Sequence, residues 1–372
     1  MSAGADRSKR LLIAGGGTGG HVIPAIAVAK EWLRREPEGV RSVVIVGTER
    51  GMEMRLVPQA GLPLETIRAA GLKGIGGMKL LKNAAKVPAG LIDSFRILSK
   101  HKFGVAFGVG GYASGPAMLM GGLMRIPSIA FEPNVVPGFA NRLAARTAKA
   151  AAVQFEKTCA YFRNCQVTGV PVRREFFKVP PRPNDSRPTL LVFGGSQGAH
   201  AINSAMLEAL PRLAAAVPEL CVIHQTGEKD YVEAQAEYLK HMVAAEVSPF
   251  IDDMPGAFAR ADLLLCRSGA STVAEITAAG KPAIFIPLPT AADDHQRHNA
   301  EALANGNAAR LLPQAELSAE RLVVEISSLL NDRAQLASMA EAARNFAHPD
   351  AAARIAAMAA RLAGIQTQSA IA

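Results

Sequence analysis

Short, mostly apolar runs recur along the chain, at 11–14, 42–46, 103–108, 128–131, 190–193, 221–225, 263–265 and 283–286. Runs this short, without polar alternation, mark strands covered on both faces, as in a parallel sheet. Longer stretches with helical spacing begin near Pro24, Ala201 and Thr272, and 351–363 is alanine-rich and helical. Several strands pass directly into glycines before the next helix. This alternation predicts a doubly wound α/β sheet. It breaks at the proline-rich stretch 179–188, which has linker chemistry, and then restarts. Two Rossmann-like domains facing across a cleft are therefore expected, with bounds 1–178 and 186–349.

Two glycine loops, Gly15-Gly16-Gly17-Thr18-Gly19-Gly20-His21 and Gly194-Gly195-Ser196-Gln197-Gly198-Ala199, follow such strands half a chain apart. A glycine loop entering a helix lets backbone amides approach a phosphate, while a tight turn without a ligand is the plainer alternative. The first loop lacks the dinucleotide context, because Gly47-Thr48-Glu49 after the second strand supplies no convincing acidic ribose ligand. His21 falls on the first turn of the following helix. The positive helix end there favours the neutral imidazole that a general base needs; a structural hydrogen-bonding role is equally open.

A third cluster, Gly108–Pro116, offers Tyr112 and Ser114 to a diphosphate or sugar, or simply to packing, and Glu132-Pro133-Asn134 closes another strand. Ligands of open α/β sheets bind beyond the carboxyl ends of strands, so these clusters are expected on one edge. In the second half, Arg267-Ser268-Gly269-Ala270-Ser271-Thr272 leads a strand into a helix bearing Glu275. First-turn amides suit a diphosphate and a carboxylate one turn on suits a ribose diol; an ordinary capped helix is the alternative. Asp293-Asp294-His295-Gln296 with Asn299 follows a strand and fits sugar hydrogen bonding at least as well as a metal; no metal and no cofactor is expected.

Charge changes the picture more than composition does. Residues 1–178 carry 26 Lys+Arg against 11 Asp+Glu, whereas 179–372 carry 15 against 21. The first half should seek an anionic partner. Between Arg68 and Lys102, eight basic residues face one acid, Asp93, with Leu72, Ile75, Met78, Leu80, Leu81, Val87, Leu91 and Ile92 interspersed. That mixture fits either a membrane surface or a solvated basic helix. The longest apolar stretch, Pro116–Met124, is too short to span a bilayer, and Met1–Arg10 is too polar for a signal peptide, so a soluble or peripheral protein is expected. Cys159, Cys165, Cys221 and Cys266 form no Cys-x-x-Cys pair and read as reduced thiols.

Taken in order, Gly15–His21, Gly110-Gly111-Tyr112-x-Ser114-Gly115-Pro116, Glu132-x-Asn134 with Pro137-Gly138 and Asn141-Arg142, Gly169-x-Pro171-Val172-Arg173, Gly194–Ala199, Phe250–Met254, Arg267–Ala270, Glu275 and His295-Gln296-x-x-Asn299 resemble the MurG family of peptidoglycan N-acetylglucosaminyltransferases. The resemblance runs from about residue 10 to 362, with Pro133 where the family usually has glutamine and His295 where some members have a second one. It implies a GT-B fold whose C-terminal helix, 350–366, returns to the first domain. It also implies transfer of N-acetylglucosamine from UDP-GlcNAc to the C4 hydroxyl of an undecaprenyl-diphosphate-linked MurNAc-pentapeptide (lipid I), giving lipid II with inversion. By resemblance, Thr18, Gly19, Gly20, Asn134, Arg173, Ser196, Ile251 beside Phe250, Ala270, Ser271, Thr272, Glu275 and Gln296 would contact the donor, with Asn299 a further candidate. Gly16, Gly17, His21, Tyr112 and Ser114 would meet the acceptor, with His21 the catalytic base.

The implied partners are UDP-GlcNAc, the lipid-linked acceptor, an anionic membrane surface on the cytoplasmic face of the bacterial inner membrane, and cell-wall or division proteins; no nucleic acid is expected. A related GT-B enzyme acting on another lipid, a dinucleotide-dependent oxidoreductase and a non-catalytic lipid-diphosphate binder are the competing readings.

Overall fold

Thirteen strands, all paired in parallel, organise the residues the computed structural model describes: 9–35, 42–69, 86–183, 186–195 and 198–365. The chain forms two compact units, Met1–Pro171 with Asp350–Ala372, and Val172–Pro349. Each is a Rossmann-like domain, as the alternating pattern predicts.

In the first unit the order is β1 (Arg10–Gly15), α1 (Gly19–Arg34), β2 (Ser42–Gly47), α2 (Glu53–Gln59), β3 (Leu64–Thr66), α3 (Lys86–His101), β4 (Val105–Gly110), α4 (Ser114–Leu123), β5 (Ser128–Glu132), α5 (Phe139–Ala144), β6 (Ala150–Val153) and β7 (Cys165–Val167). The sheet order is β3-β2-β1-β4-β5-β6-β7, which puts β1, β4 and β5 side by side at its centre. Leu11, Leu12, Ile13 and Ala14 are wholly buried, the burial that their unbroken apolarity requires. Helix α1 begins earlier than its sequence spacing suggests, so His21 lies within its first turn. Trp32 on the same helix is buried, with its indole N–H donating to the Ser42 carbonyl at 3.2 Å.

The second unit runs β8 (Thr189–Phe193), α6 (His200–Ala216), β9 (Cys221–Gln225), α7 (Tyr231–Lys240), β10 (Ala244–Ser248), α8 (Met254–Arg260), β11 (Leu263–Cys266), α9 (Ala270–Ala279), β12 (Ala283–Phe285), α10 (His295–Asn305), β13 (Ala309–Leu311), α11 (Ala319–Leu330) and α12 (Arg333–Arg344). Its sheet order is β10-β9-β8-β11-β12-β13. The last helix, α13 (Ala351–Leu362), packs against α1, β4 and β5 of the first unit. Its buried face is Ile355, Ala356, Met358, Ala359 and Ala360, and Arg35 donates to the Ala353 carbonyl at 2.7 Å.

Two expectations change. The unit boundary lies at Pro171–Val172 rather than after residue 178, because the turn Arg174–Lys178 belongs to the second unit: its Phe176 is buried edge-on against Phe258 at 5.1 Å. Cys159 and Cys165 are joined by a disulfide instead of standing as reduced thiols; a 3-10 turn and β7 bring their Cα atoms to 5.3 Å, and Cys221 and Cys266 remain free.

Candidate functional site

In the first unit two glycine turns lie backbone on backbone. Gly15 at the end of β1 is opposite Gly110 at the end of β4. A side chain on Gly15 would strike the Gly110 carbonyl, and one on Gly111, whose φ is +80°, would strike that of Gly16. His21 is half-buried, with Nδ1 3.4 Å from the Thr18 hydroxyl, and its imidazole covers Gly110, where an added Cβ would come within 3.0 Å of Nε2. Gly16, Gly17, Thr18, Gly19, Gly20 and His21 thus gather at one strand end with the Tyr112–Ser114 turn. Tyr112 is 60% exposed, whereas Ser114 is buried at the start of α4.

The sequence reading overlooked the side chain that holds this loop. Glu53, with 0% exposure, accepts from the Gly17 N–H at 2.7 Å, the Thr48 N–H at 2.8 Å and the Thr48 hydroxyl at 2.9 Å. Burial pushes its carboxyl up, but these hydrogen bonds outweigh it and leave the group below the ordinary carboxylate range. An acid does follow the second strand, four residues beyond Glu49, and it serves the loop itself.

Glu132 plays the same part on β5. Its carboxylate accepts from the Asn134 N–H at 3.0 Å, Asn134 Nδ2 at 2.9 Å, the Gly138 N–H at 3.1 Å and Asn141 Nδ2 at 2.9 Å. Burial holds this carboxyl above its ordinary value despite those donors. The Asn134 amide, expected to read a sugar, is therefore engaged inside its own loop. The Thr158 hydroxyl ties down the Asn134 and Val135 carbonyls at 3.1 and 3.0 Å.

In the second unit the corresponding edge relies mostly on neutral groups, with the Arg267 guanidinium donating to the Ile286 and Pro287 carbonyls at 2.9 and 3.1 Å and the exposed Asp253 carboxylate accepting from the Gly256 N–H at 3.0 Å. Gln225, buried at the end of β9, donates to the Gly195 carbonyl and accepts from the Ile251 N–H, both at 2.9 Å. One amide thereby joins the glycine turn to the Phe250–Ile251 pair, with Phe250 exposed. A polar residue at a strand's carboxyl end was the available signal for it. Ser196 and Gln197 lie outside the described residues.

The Ser268 hydroxyl donates to the Gln296 carbonyl at 2.7 Å, and buried Asn299 donates to the Ser268 carbonyl at 3.3 Å. Asn299 therefore braces this loop. The Gln296 side-chain oxygen accepts from the Leu288 N–H at 3.0 Å. Asp293 and Asp294 just before it both have φ of +53°, an uncommon conformation that Asp tolerates better than most residues. Among the described residues no cluster of three or more His, Cys, Asp or Glu forms a metal site.

Helix α9 begins at Gly269 without a side-chain cap, so the first-turn amides of Ala270, Ser271 and Thr272 lie where helix geometry leaves donors over. Glu275 is half-buried one turn on. Burial pushes its carboxyl up to about 7, against the pull of the Arg173 charge. Arg173 itself is exposed, with its guanidinium 5.1 Å from the centre of the Phe176 ring. A carboxylate and a cation are thus set beside a row of amides.

The 460 Å³ hollow lined by Arg142, Arg146, Tyr161 and Arg163 includes none of the expected site residues.

Comparison with known proteins agrees with this layout. The profile described as "Glycosyltransferase family 28 N-terminal domain" matches residues 11–153, and "Glycosyltransferase family 28 C-terminal domain" matches 189–355. The UDP-N-acetylglucosamine--N-acetylmuramyl-(pentapeptide) pyrophosphoryl-undecaprenol N-acetylglucosamine transferase of Geotalea uraniireducens is 45% identical over 352 residues, covering 92% of this chain and 95% of that protein. The protein of the same description from Anaeromyxobacter is 46% identical over 357 residues, covering 95% and 93%. The crystal structure of Acinetobacter baumannii MurG superposes with a TM-score of 0.79 at 33% identity, over 95% of this chain and 99% of that one. With its two parallel sheets and both halves matched in order, the chain belongs to glycosyltransferase family 28 and has the GT-B fold.

Proposed function

We propose that this chain transfers N-acetylglucosamine from UDP-GlcNAc to the C4 hydroxyl of MurNAc in lipid I, giving lipid II. The observation that carries the reading is the placement of Glu275 and Arg173 beside the first-turn amides of α9, which suits a ribose diol next to a diphosphate. In this reading Ile251, Ala270, Ser271, Thr272, Glu275, Gln296, Arg173 and the Ser196 turn hold the donor. Asn134 acts through its loop, since its amide already serves Glu132. The departing UDP gains negative charge as its bond to the sugar breaks, and preset amides with Arg173 stabilise that charge.

In the first unit, Gly16, Gly17, Tyr112 and Ser114 receive the acceptor, and His21 takes the proton of the attacking hydroxyl. A single displacement from the face opposite UDP inverts the anomeric carbon. The decisive assay incubates the protein with UDP-GlcNAc and lipid I or a short-chain analogue and follows UDP and disaccharide; release of UDP without the disaccharide contradicts the reading. His21→Ala should lower turnover roughly 100-fold or more with UDP affinity unchanged, as loss of a general base requires. Near-normal turnover, with chemistry limiting, removes His21 from that role.

The lipid acceptor gives the first unit's surface a task at the cytoplasmic face of the inner membrane. Among the described residues no helix is long and apolar enough to cross a membrane. Val87, Ile92 and Phe95 on α3, and Leu119 and Leu123 on the adjoining α4, are exposed, Leu123 by 70%. The basic count of the 68–102 segment is smaller than it looks, because Asp93 pairs with Arg68 at 2.7 Å and Glu65 with Lys100 at 2.8 Å. Arg96 and Lys102 are exposed, while Lys73, Lys79 and Lys82 lie outside the described residues.

We assign this face to shallow insertion at an anionic surface, where each nearby basic residue is worth ~1 kcal/mol. Lys79→Glu, Lys82→Glu and Lys86→Glu together should weaken sedimentation with anionic vesicles while activity on a short-chain acceptor survives. Equal sedimentation at low salt excludes the segment as the docking face.

A further inference from the structure

At the amino ends of β8, β11 and β12, opposite the edge that carries the donor loops, the second unit has a cavity of about 220 Å³. Its polar lining is Arg182, Asp262, Lys281, Arg333 and Arg344. At ~30 Å³ per water it holds roughly seven waters' worth of space, enough for a small oxyanion. Asp262 is already engaged: it accepts from the Thr189 N–H at 2.8 Å, from Arg333 at 2.6 Å and from Arg182 at 3.4 Å.

Lys281 is only 4% exposed, and its ammonium donates to the Ala261 carbonyl at 2.8 Å, one of the three bonds it can make. Arg344 lies across Gly280, whose φ of +59° and missing side chain leave room for the guanidinium. A structural explanation is available, since cations at the carboxyl end of α9 offset its macrodipole. That end carries only about half a charge, however. Asp262 adds one more negative charge against four positive groups. Among the described residues, more than two positive charges around the cavity remain unbalanced.

We propose that this cavity is a second anion site, taking a small phosphate-bearing ligand of diphosphate size, separate from the donor site at the other end of the sheet. A multiply charged phosphate answers a surplus of this size, and a single carboxylate does not. Arg333 already spends its terminal nitrogens on Asp262 and on the Ser186 carbonyl, at 2.6 and 2.8 Å, so the planar fork offered to phosphoryl oxygens is that of Arg344. Burial brings the Lys281 ammonium down to about 8; Asp262 pulls it back up, while the neighbouring Arg182 and Arg344 charges push it further down, as crowded cations do.

The test is calorimetric titration of inorganic pyrophosphate into protein saturated with UDP, at fixed ionic strength. One further binding event is expected, weakened tenfold or more by Arg344→Ala and by Lys281→Gln, with UDP affinity unchanged in both. Arg344 is exposed, so its variant carries the test if Lys281→Gln does not fold, and UDP binding reports the fold of each. Absence of pyrophosphate binding to the UDP-saturated wild type, or unchanged affinity in Arg344→Ala, overturns the proposal.

Discussion

In the first unit the strand-end loops hang on buried carboxylates, Glu53 and Glu132, each accepting several hydrogen bonds; in the second they hang on neutral groups, Gln225, Ser268 and Asn299, and on one cation, Arg267. A carboxylate gathers more donors, and each bond is about twice as strong as a neutral one, but it sets a negative charge beneath the loop. The first unit tolerates this within a strongly basic half of the chain. Under the proposed donor diphosphate the same device would repel the ligand, and neutral amides avoid that. The acids of the first unit are therefore architectural, whereas the one beside the second unit's amides, Glu275, is left for the ligand.

The strongest way to break this comparison is Glu53→Ala. It strands the Gly17 and Thr48 amides, and stability should fall by roughly 2–4 kcal/mol in urea titrations. A loss under about 1 kcal/mol means the loop does not depend on the carboxylate. The folded value of Glu53 is depressed, so its contribution is present above the unfolded pKa near 4.5 and disappears as pH falls through the folded one. Glu53→Gln should accordingly flatten the acid limb of the stability curve.

Glu275→Gln should act with the opposite sign. Its folded value near 7 exceeds the unfolded 4.5, so its contribution is present below pH 4.5 and lost as pH rises through 7. At pH 8 the variant without ligand should be more stable than wild type, by at most ~3 kcal/mol, yet bind UDP-GlcNAc about tenfold more weakly. Wild-type affinity should also weaken from pH 8 to pH 6, a trend the variant lacks; equal pH profiles for the two remove Glu275 from the donor site. Gln225→Ala is the mildest of the three. The Ile251 and Gly195 backbone groups can turn to water, so we expect a three- to fivefold rise in the UDP-GlcNAc Michaelis constant with turnover kept. A change in turnover alone indicates a different role.

The long buried strands and the glycine turns were legible because their signal is local. Leu11–Ala14 and Leu190–Phe193 need no partner to be recognised. The strands β3, β7, β10 and β13 were not legible, being three to five residues long and lying outermost in their sheets, where burial no longer enforces an apolar run. Strand β6 is buried inside its sheet but escaped too, because four residues that are mostly alanine read as readily as helix. Glu53 escaped because its meaning is non-local: it answers an amide 36 residues earlier. Asn134 had the right residue type for sugar contact, but only the fold reveals that Glu132 already engages its amide. The Cys159–Cys165 pair depends likewise on a turn that spacing alone does not announce.

The return of α13 to the first unit has a consequence for biosynthesis. The second unit is one contiguous stretch and can complete its core as soon as it leaves the ribosome. The first unit emerges earlier but must wait for its last helix, leaving the surface of α1, β4 and β5 that α13 covers bare until then. At ~5–20 residues per second, the intervening stretch takes roughly 10–40 s to make. Through that interval the part of the protein that appears first is the part that is still unfinished.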